Sequence, residues 1–197
     1  WKQKVKKGNP FWGVSTSYVT PRGENGNPNE GGIGNDNSAA SWLTQIGFGG
    51  PQWAFTAAYR YGQCGQGFRR GTQFANSTQA CTTTNKAGDI IGANAYSNNF
   101  ALTAAWQPLN TGWVPSISAG WGINDLNNTG YVSPTSKNKA NNIDASQSWQ
   151  VGLQWSDLFA KGNAFGMAVG QPTFATETRK GTPNDGNYAW EWWYKFQ

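Results

Sequence analysis

Apolar and polar residues alternate along residues 146–157, whose sequence is SQSWQVGLQWSD. One face of a β-strand here would carry four apolar side chains, those of Trp149, Val151, Leu153 and Trp155. Amphipathic Trp rings favour the two interfaces of a membrane, and branched aliphatic side chains favour the hydrocarbon between them. A strand on a protein core also alternates, but a core gives no reason for Trp at both ends. The pattern is therefore typical of a transmembrane β-strand.

The same alternation recurs along the chain. It predicts eight strands, at residues 11–20, 38–48, 52–62, 95–107, 113–123, 146–157, 163–171 and 187–197, and the end of another at residues 1–6. Their outward faces are rich in aromatic residues. The aromatics predicted at the membrane interfaces are Trp53, Trp106, Trp113, Trp121, Trp149, Trp155, Trp190 and Trp192. The inward faces carry mostly Gly, Ala, Ser, Thr, Asn and Gln, which predicts a wall that faces water.

The predicted connections alternate between long and short. The long ones are residues 21–37, 63–94, 124–145 and 172–186, and they all fall at one end of an antiparallel sheet. Outer-membrane barrels have this asymmetry, with short periplasmic turns and longer extracellular loops. The chain is therefore predicted to be all-β, a single domain over residues 1–197 that forms part of an antiparallel transmembrane β-barrel.

The small inward residues bear on the size of that barrel. Eight strands enclose an interior that side chains must fill, whereas sixteen or eighteen strands enclose water. Small polar residues fill little space, so the eight strands are expected to be a segment of a larger barrel with a water-filled lumen.

Composition agrees with this class. The chain has 12 Trp, 10 Phe and 7 Tyr but only 13% charged residues, and its mean hydropathy is −0.64. A negative mean does not oppose a membrane barrel, because water-facing residues at alternate positions lower the average. The opening WKQKVKK has no apolar segment of a signal peptide, so we expect a processed chain or one whose beginning is missing.

Two cysteines, Cys64 and Cys81, lie in a segment rich in Gly, Gln, Thr and Asn. The chain has no His, which disfavours a zinc site, and no other metal or cofactor is expected. The pair is predicted to form a disulfide within the loop, which indicates an oxidising compartment. The absence of His also excludes His-dependent triads and imidazole acid–base pairs, so no enzyme activity is expected.

The net charge is +5, but several of the basic residues crowd at the start and the rest are dispersed, so no nucleic-acid partner is expected. The charged residues predicted to line the pore are Lys2, Lys4, Lys6, Arg60, Glu191 and Lys195. Their balance predicts a mildly basic lumen that passes small anions at least as readily as cations. The longest connection, residues 63–94, is predicted to fold partly into or over the pore, with a surface hairpin as the alternative. Its candidate constriction residues are Arg69, Arg70, Lys86 and Asp89.

Three stretches resemble a known family. They are GWVPSISAGWG at residues 112–122, QSWQVGLQWSDLFAKGNAFGMAVGQPTFAT at residues 147–176, and NYAWEWWYKFQ at residues 187–197. They are similar to the later barrel strands of the cyanobacterial outer-membrane porins, which are related to the carbohydrate-selective OprB-type porins and are often labelled iron-uptake porins. The resemblance covers residues 11–197.

The resemblance implies a roughly sixteen-stranded diffusion channel in a Gram-negative-type outer membrane. Its partners would be membrane lipid and lipopolysaccharide, and its assembly a homotrimer. Small hydrophilic solutes would cross it, such as sugars, inorganic ions and iron. The alternative is a soluble or surface all-β protein that binds carbohydrate through Trp residues.

Overall fold

A computed structural model of the chain describes residues 8–35, 38–63, 71–72, 75, 83–84, 90–91, 96–110, 112–127, 143–178 and 181–196. The elements in this part of the chain are strands. In order they are β1 (Phe11–Val19), β2 (Ser41–Gly49), β3 (Trp53–Gln63), β4 (Thr83–Thr84), β5 (Ile90–Ile91), β6 (Tyr96–Trp106), β7 (Ser116–Asn127), β8 (Ile143–Ser156), β9 (Ala164–Thr178) and β10 (Ala189–Lys195).

Eight of these strands form one antiparallel sheet in the order β1-β2-β3-β6-β7-β8-β9-β10, and β4 and β5 pair separately. The all-β antiparallel prediction is thereby confirmed. The sheet is open, with β1 and β10 as its edges, and these eight strands do not close into a barrel. The strand end predicted at residues 1–6 lies outside the described residues. Within the described ranges, no helix has the length and apolar character needed to cross a bilayer.

Some of the predicted strand boundaries are wrong. Trp113 was predicted to lie in a strand, but β7 begins only at Ser116, directly after Pro115, which cannot donate a ladder hydrogen bond. At their far ends, β7 and β9 continue into residues that were predicted to be loop. Asn124 pairs with Ser146 there, and the pairing of Ile143 holds Thr178 in β9. Pairing with a neighbouring strand thus keeps Asn124 in β7 despite the local preference of Asn for loops.

The alternation of the connections is confirmed in part. Because the strands follow chain order, the connections 20–40, 64–95, 128–142 and 179–188 join strands at one end of the sheet, and the connections 50–52, 107–115 and 157–163 join them at the other. The contrast in length is smaller than predicted. The longer β9 shortens its following connection, which is now close in length to residues 107–115.

One face of the sheet is apolar across all eight strands. The register places one residue from each strand in a continuous row: Trp12, Phe48, Phe55, Ala104, Ala119, Val151, Val169 and Trp190. The next residues along the strands form a row on the opposite face: Gly13, Gly47, Thr56, Thr103, Gly120, Gln150, Gly170 and Ala189. We call these the apolar face and the polar face.

The large hydrophobic side chains are not in a core. In the described part of the chain, the buried hydrophobic residues are Ala39, Ala40, Ala75, Ile143 and Ala175. Large apolar side chains on the apolar face stay accessible: Leu102 is 42% exposed and Val151 38%. Among the described buried positions, polar residues such as Ser38, Asn99 and Asn124 outnumber hydrophobic ones. The sheet therefore exposes its apolar side and buries part of its polar side.

Candidate functional site

The polar face borders two open cavities, one of about 750 Å³ and one of about 390 Å³. The larger is lined by small residues of β6 to β9, by Glu191 of β10 and by Gly71 of the connection 64–95. The smaller lies toward the short connections and is bordered by Trp193 and by the amides of Gln52, Gln107 and Gln154.

Part of the connection 64–95 lies against this face. Three of its described residues, Gly71, Thr72 and Ala75, are called the inner segment below. The backbone N–H of Thr72 donates to the carbonyl oxygen of Thr173 on β9 at 2.8 Å. The hydroxyl of Thr72 donates to Asp185 Oδ2 at 2.5 Å, and the same carboxylate oxygen accepts the N–H of Ala175 at 2.8 Å. Asp185 therefore ties the inner segment to β9.

A small apolar cluster completes this contact. Ala75, Ile143 and Ala175 are buried together, and Leu126 packs against them. Ala175 pairs with Ser146, which pairs in turn with Asn124, and this row belongs to the polar face. The inner segment thus lies against β9 on the polar side of the sheet.

Position 71 accepts only a residue without a side chain. Gly71 has a φ of +138°, which L-residues rarely adopt, and a Cβ there would lie 2.2 Å from the carbonyl oxygen of Thr173. The backbone of β9 cannot move aside as a flexible side chain could. The contact between the inner segment and β9 therefore requires glycine at position 71.

The predicted pore-lining residues are spread over the polar face. Arg60 is half-buried on β3, and its Nε donates to Ser41 Oγ at 2.8 Å. Glu191 and Lys195 are exposed on β10, opposite Ala168 and Ala164 of β9. Arg60 lies five strands away from these two residues in the sheet order, so the structure does not bring the three together. The other predicted pore, constriction and disulfide residues lie outside the described part: Lys2, Lys4, Lys6, Cys64, Arg69, Arg70, Cys81, Lys86 and Asp89.

Aromatic residues on the apolar face meet in cross-strand pairs at two levels. The level nearer the long connections is the upper band, formed by the pairs Tyr18–Trp42, Tyr59–Phe100 and Trp121–Trp149. The other is the lower band, formed by the pairs Trp12–Phe48, Trp53–Trp106 and Trp155–Phe165. On β1, β2, β3, β6 and β8 the two bands are six residues apart, with Thr, Ile, Val, Leu or Ala among the residues between them. Of the predicted interface Trp residues, these bands contain Trp53, Trp106, Trp121, Trp149 and Trp155. Trp113 lies before β7, and Trp190 and Trp192 of β10 align with residues between the two bands.

Polar atoms of the aromatic bands find partners close by. The indole N–H of Trp42 donates to Thr16 Oγ1, and that of Trp149 donates to Gln171 Oε1, both at 2.7 Å. The rings of Tyr59 and Phe100 lie 5.0 Å apart. Such rings present an apolar surface outward while their polar groups are satisfied within the sheet.

Both bands run obliquely across the hydrogen-bonded rows. The row that joins Tyr18 and Trp42 reaches β3 at Tyr61, two residues beyond Tyr59 of the next upper pair. The lower band shifts by the same amount, because the row of Trp53 and Trp106 reaches β8 at Leu153, two residues before Trp155. The shift is about one residue per strand. With ~3.4 Å per residue and ~4.8 Å between strands, it corresponds to a strand tilt of about 35° relative to the normal of the bands.

Sequence reasoning missed two features of the polar face. Trp193 lies directly over Gly166, where a Cβ would come within about 2.0 Å of the Trp193 ring, so it belongs to the polar face despite its size. Trp192 and Trp193 are neighbours and must point to opposite faces of a strand. The alternation alone could therefore have placed Trp193 on the polar face. The bond between Thr72 and Asp185 joins residues 113 positions apart, and no local pattern marks it.

No family model, curated protein or solved structure matches the chain. In the described residues, no three His, Cys, Asp or Glu side chains come together as a group that could hold a metal ion.

Proposed function

We propose that this sheet is part of the wall of a transmembrane β-barrel, a roughly sixteen-stranded porin of an outer membrane. One observation carries the proposal. All eight strands of the main sheet contribute to one exposed face that carries most of their large apolar residues, and the described buried positions, apart from Ile143, hold small or polar residues. A soluble protein rarely exposes so continuous an apolar surface, whereas a bilayer covers it.

The oblique aromatic bands support the same proposal. If each band lies in a plane parallel to the membrane, the strands tilt by about 35°, at the lower end of the 35–45° typical of outer-membrane barrels. Six residues at this tilt separate the bands by roughly 17 Å between Cα positions. The apolar zone of such barrels is ~25 Å tall. The rings extend beyond their Cα atoms and account for part of the difference.

The polar face would then line a water-filled lumen. Its Gly, Ala, Ser, Thr and Gln residues leave space, and they offer hydrogen-bonding groups without strong charge. Such a wall suits passive diffusion of small hydrophilic solutes, such as sugars and inorganic ions, including iron. Lipid and lipopolysaccharide would contact the apolar face, and a homotrimer is the assembly that the family resemblance implies.

The test is direct. The full-length protein should require detergent for extraction and should form discrete ion-conducting steps in a planar lipid bilayer. Heat-denatured protein from the same preparation is the control. A protein that is soluble without detergent and conducts nothing would contradict the porin proposal and favour the alternative, a β-protein that binds carbohydrate through Trp residues.

The proposal also predicts sidedness. Connections 20–40, 64–95, 128–142 and 179–188 should face the cell exterior, because long loops of outer-membrane barrels share that side. A protease added to intact cells should cut within these connections and leave residues 50–52 and 157–163 uncut. Cleavage in the long connections that occurs only after the outer membrane has been opened would reverse the assignment.

A further inference from the structure

Among the described residues, Glu191 is the charged residue that borders the larger cavity. It lies on β10 opposite Ala168, on the face away from Trp190 and Trp192. The other described residues that border this 750 Å³ space are uncharged, and Gly71 of the inner segment is one of them. In the described part of the chain, Glu191 therefore provides the net charge of the wall of this cavity.

This charge is not neutralised by its surroundings. Among the described residues, the carboxylate of Glu191 takes part in no hydrogen bond or ion pair, and it is exposed. Lys195 follows four residues later on the same strand, about 14 Å away along its axis. Arg60 lies five strand spacings away, roughly 24 Å along the sheet, and bonds to Ser41. Both distances exceed the Debye length of ~10 Å at 0.1 M salt, so these cations screen Glu191 weakly.

A second carboxylate has the same sign. Asp185, in the connection between β9 and β10, holds Thr72 of the inner segment through Oδ2. The described groups that border the larger cavity or the inner segment thus combine two carboxylates with neutral hydroxyls and amides. This local field differs from the mildly basic lumen predicted from the sequence, for which Lys2, Lys4 and Lys6 are the main source.

We infer that Glu191 makes the polar face around the larger cavity attract cations, and that it biases the pore toward small hydrated monovalent cations over anions. The inference rests on the proposed function. A fixed charge on a pore wall concentrates ions of opposite sign and depletes those of its own sign. For ions that pass about 6 Å from one carboxylate at 0.1 M salt, Coulomb attraction with screening gives roughly a threefold change in the ratio of cation to anion permeability.

The experiment uses the full-length protein in planar bilayers, with the reversal potential measured across a tenfold KCl gradient centred near 0.1 M. Glu191→Gln, which has nearly the same shape, should lower the permeability ratio of K⁺ to Cl⁻ about threefold. Glu191→Asp keeps the charge and should keep most of the ratio. The matched control is Glu30→Gln, which removes an exposed carboxylate from the connection 20–40, where Glu30 accepts a hydrogen bond from Asn25.

Salt provides a second readout. At 1 M KCl the Debye length falls to ~3 Å, so the difference between wild type and Glu191→Gln should largely vanish if it is electrostatic. A conducting protein whose permeability ratio is the same in wild type and Glu191→Gln overturns the inference and leaves the porin proposal intact. An equal loss in Glu191→Gln and Glu191→Asp also overturns it, because the charge would then not be the cause. A wild-type protein that conducts no ions overturns the proposed function and the inference together.

Discussion

Replacing Val151 by Lys should destabilise the membrane-inserted protein by about 2–4 kcal/mol, the cost of a Lys on the lipid face near the bilayer midplane. Val151 lies on the apolar face of β8 between Trp149 of the upper band and Trp155 of the lower band. Urea titrations of the protein folded into lipid vesicles, followed by Trp fluorescence, would measure the loss. It corresponds to roughly a 30- to 1000-fold change in the folding equilibrium.

The neighbouring residue provides the matched control. Gln150 is exposed like Val151 but lies on the polar face of the same strand. Gln150→Lys should change the free energy of folding by less than about 0.5 kcal/mol, as is usual for a water-facing position. Equal effects of the two substitutions would mean that both faces meet the same solvent, and the membrane proposal would then be wrong.

Replacing Gly71 by Ala should release the inner segment from the polar face. The new Cβ would meet the carbonyl oxygen of Thr173 at 2.2 Å, and a left-handed φ costs an L-residue about 1–2 kcal/mol in addition. If the segment narrows the pore, single-channel conductance should rise about twofold, since a wider passage admits more ions at once. Limited proteolysis in detergent should also cut the connection 64–95 faster.

Gly181→Ala separates strain from contact. Gly181 has a φ of +126°, close to that of Gly71, but a Cβ there would meet no atom within 4 Å. The Gly181→Ala variant should have the same free-energy cost of a positive φ and leave the single-channel conductance unchanged. Thr72→Val, which removes the hydroxyl that donates to Asp185, should give a smaller rise than Gly71→Ala. Wild-type conductance in Gly71→Ala, together with faster proteolysis of the connection, would show that the segment leaves the wall without having narrowed the pore.

The faces of the strands could be read from the sequence because a β-strand has a period of two residues. Each residue's side follows from its neighbours in the chain alone. The alternation in residues 146–157 therefore places Trp149, Val151 and Trp155 together, and the register of β7, β8 and β9 agrees. The same local rule identified Arg60 and Glu191 as members of the opposite face.

Strand ends and register depend on partners that the local sequence does not contain. Asn124 has loop-forming character, yet it lies in β7 because Ser146 of β8 pairs with it. Pro172 lies in β9 at an irregularity in its pairing with β8. The oblique course of the aromatic bands likewise emerges only when the strands are aligned. Alternation gives the spacing within one strand but not the offset between two strands.

The sequence itself determined the alternation within each strand. It also determined the small polar residues of one face and the aromatic ends of the other. The tertiary structure alone decided that Thr72 meets Asp185 and Thr173, and that Glu191 and Gly71 border the same cavity. The physical reason is the range of the interactions. Side-chain direction in a strand is a local property of the backbone, whereas a contact between distant residues depends on how the intervening connection closes, and its sequence carries no period that would reveal the closure.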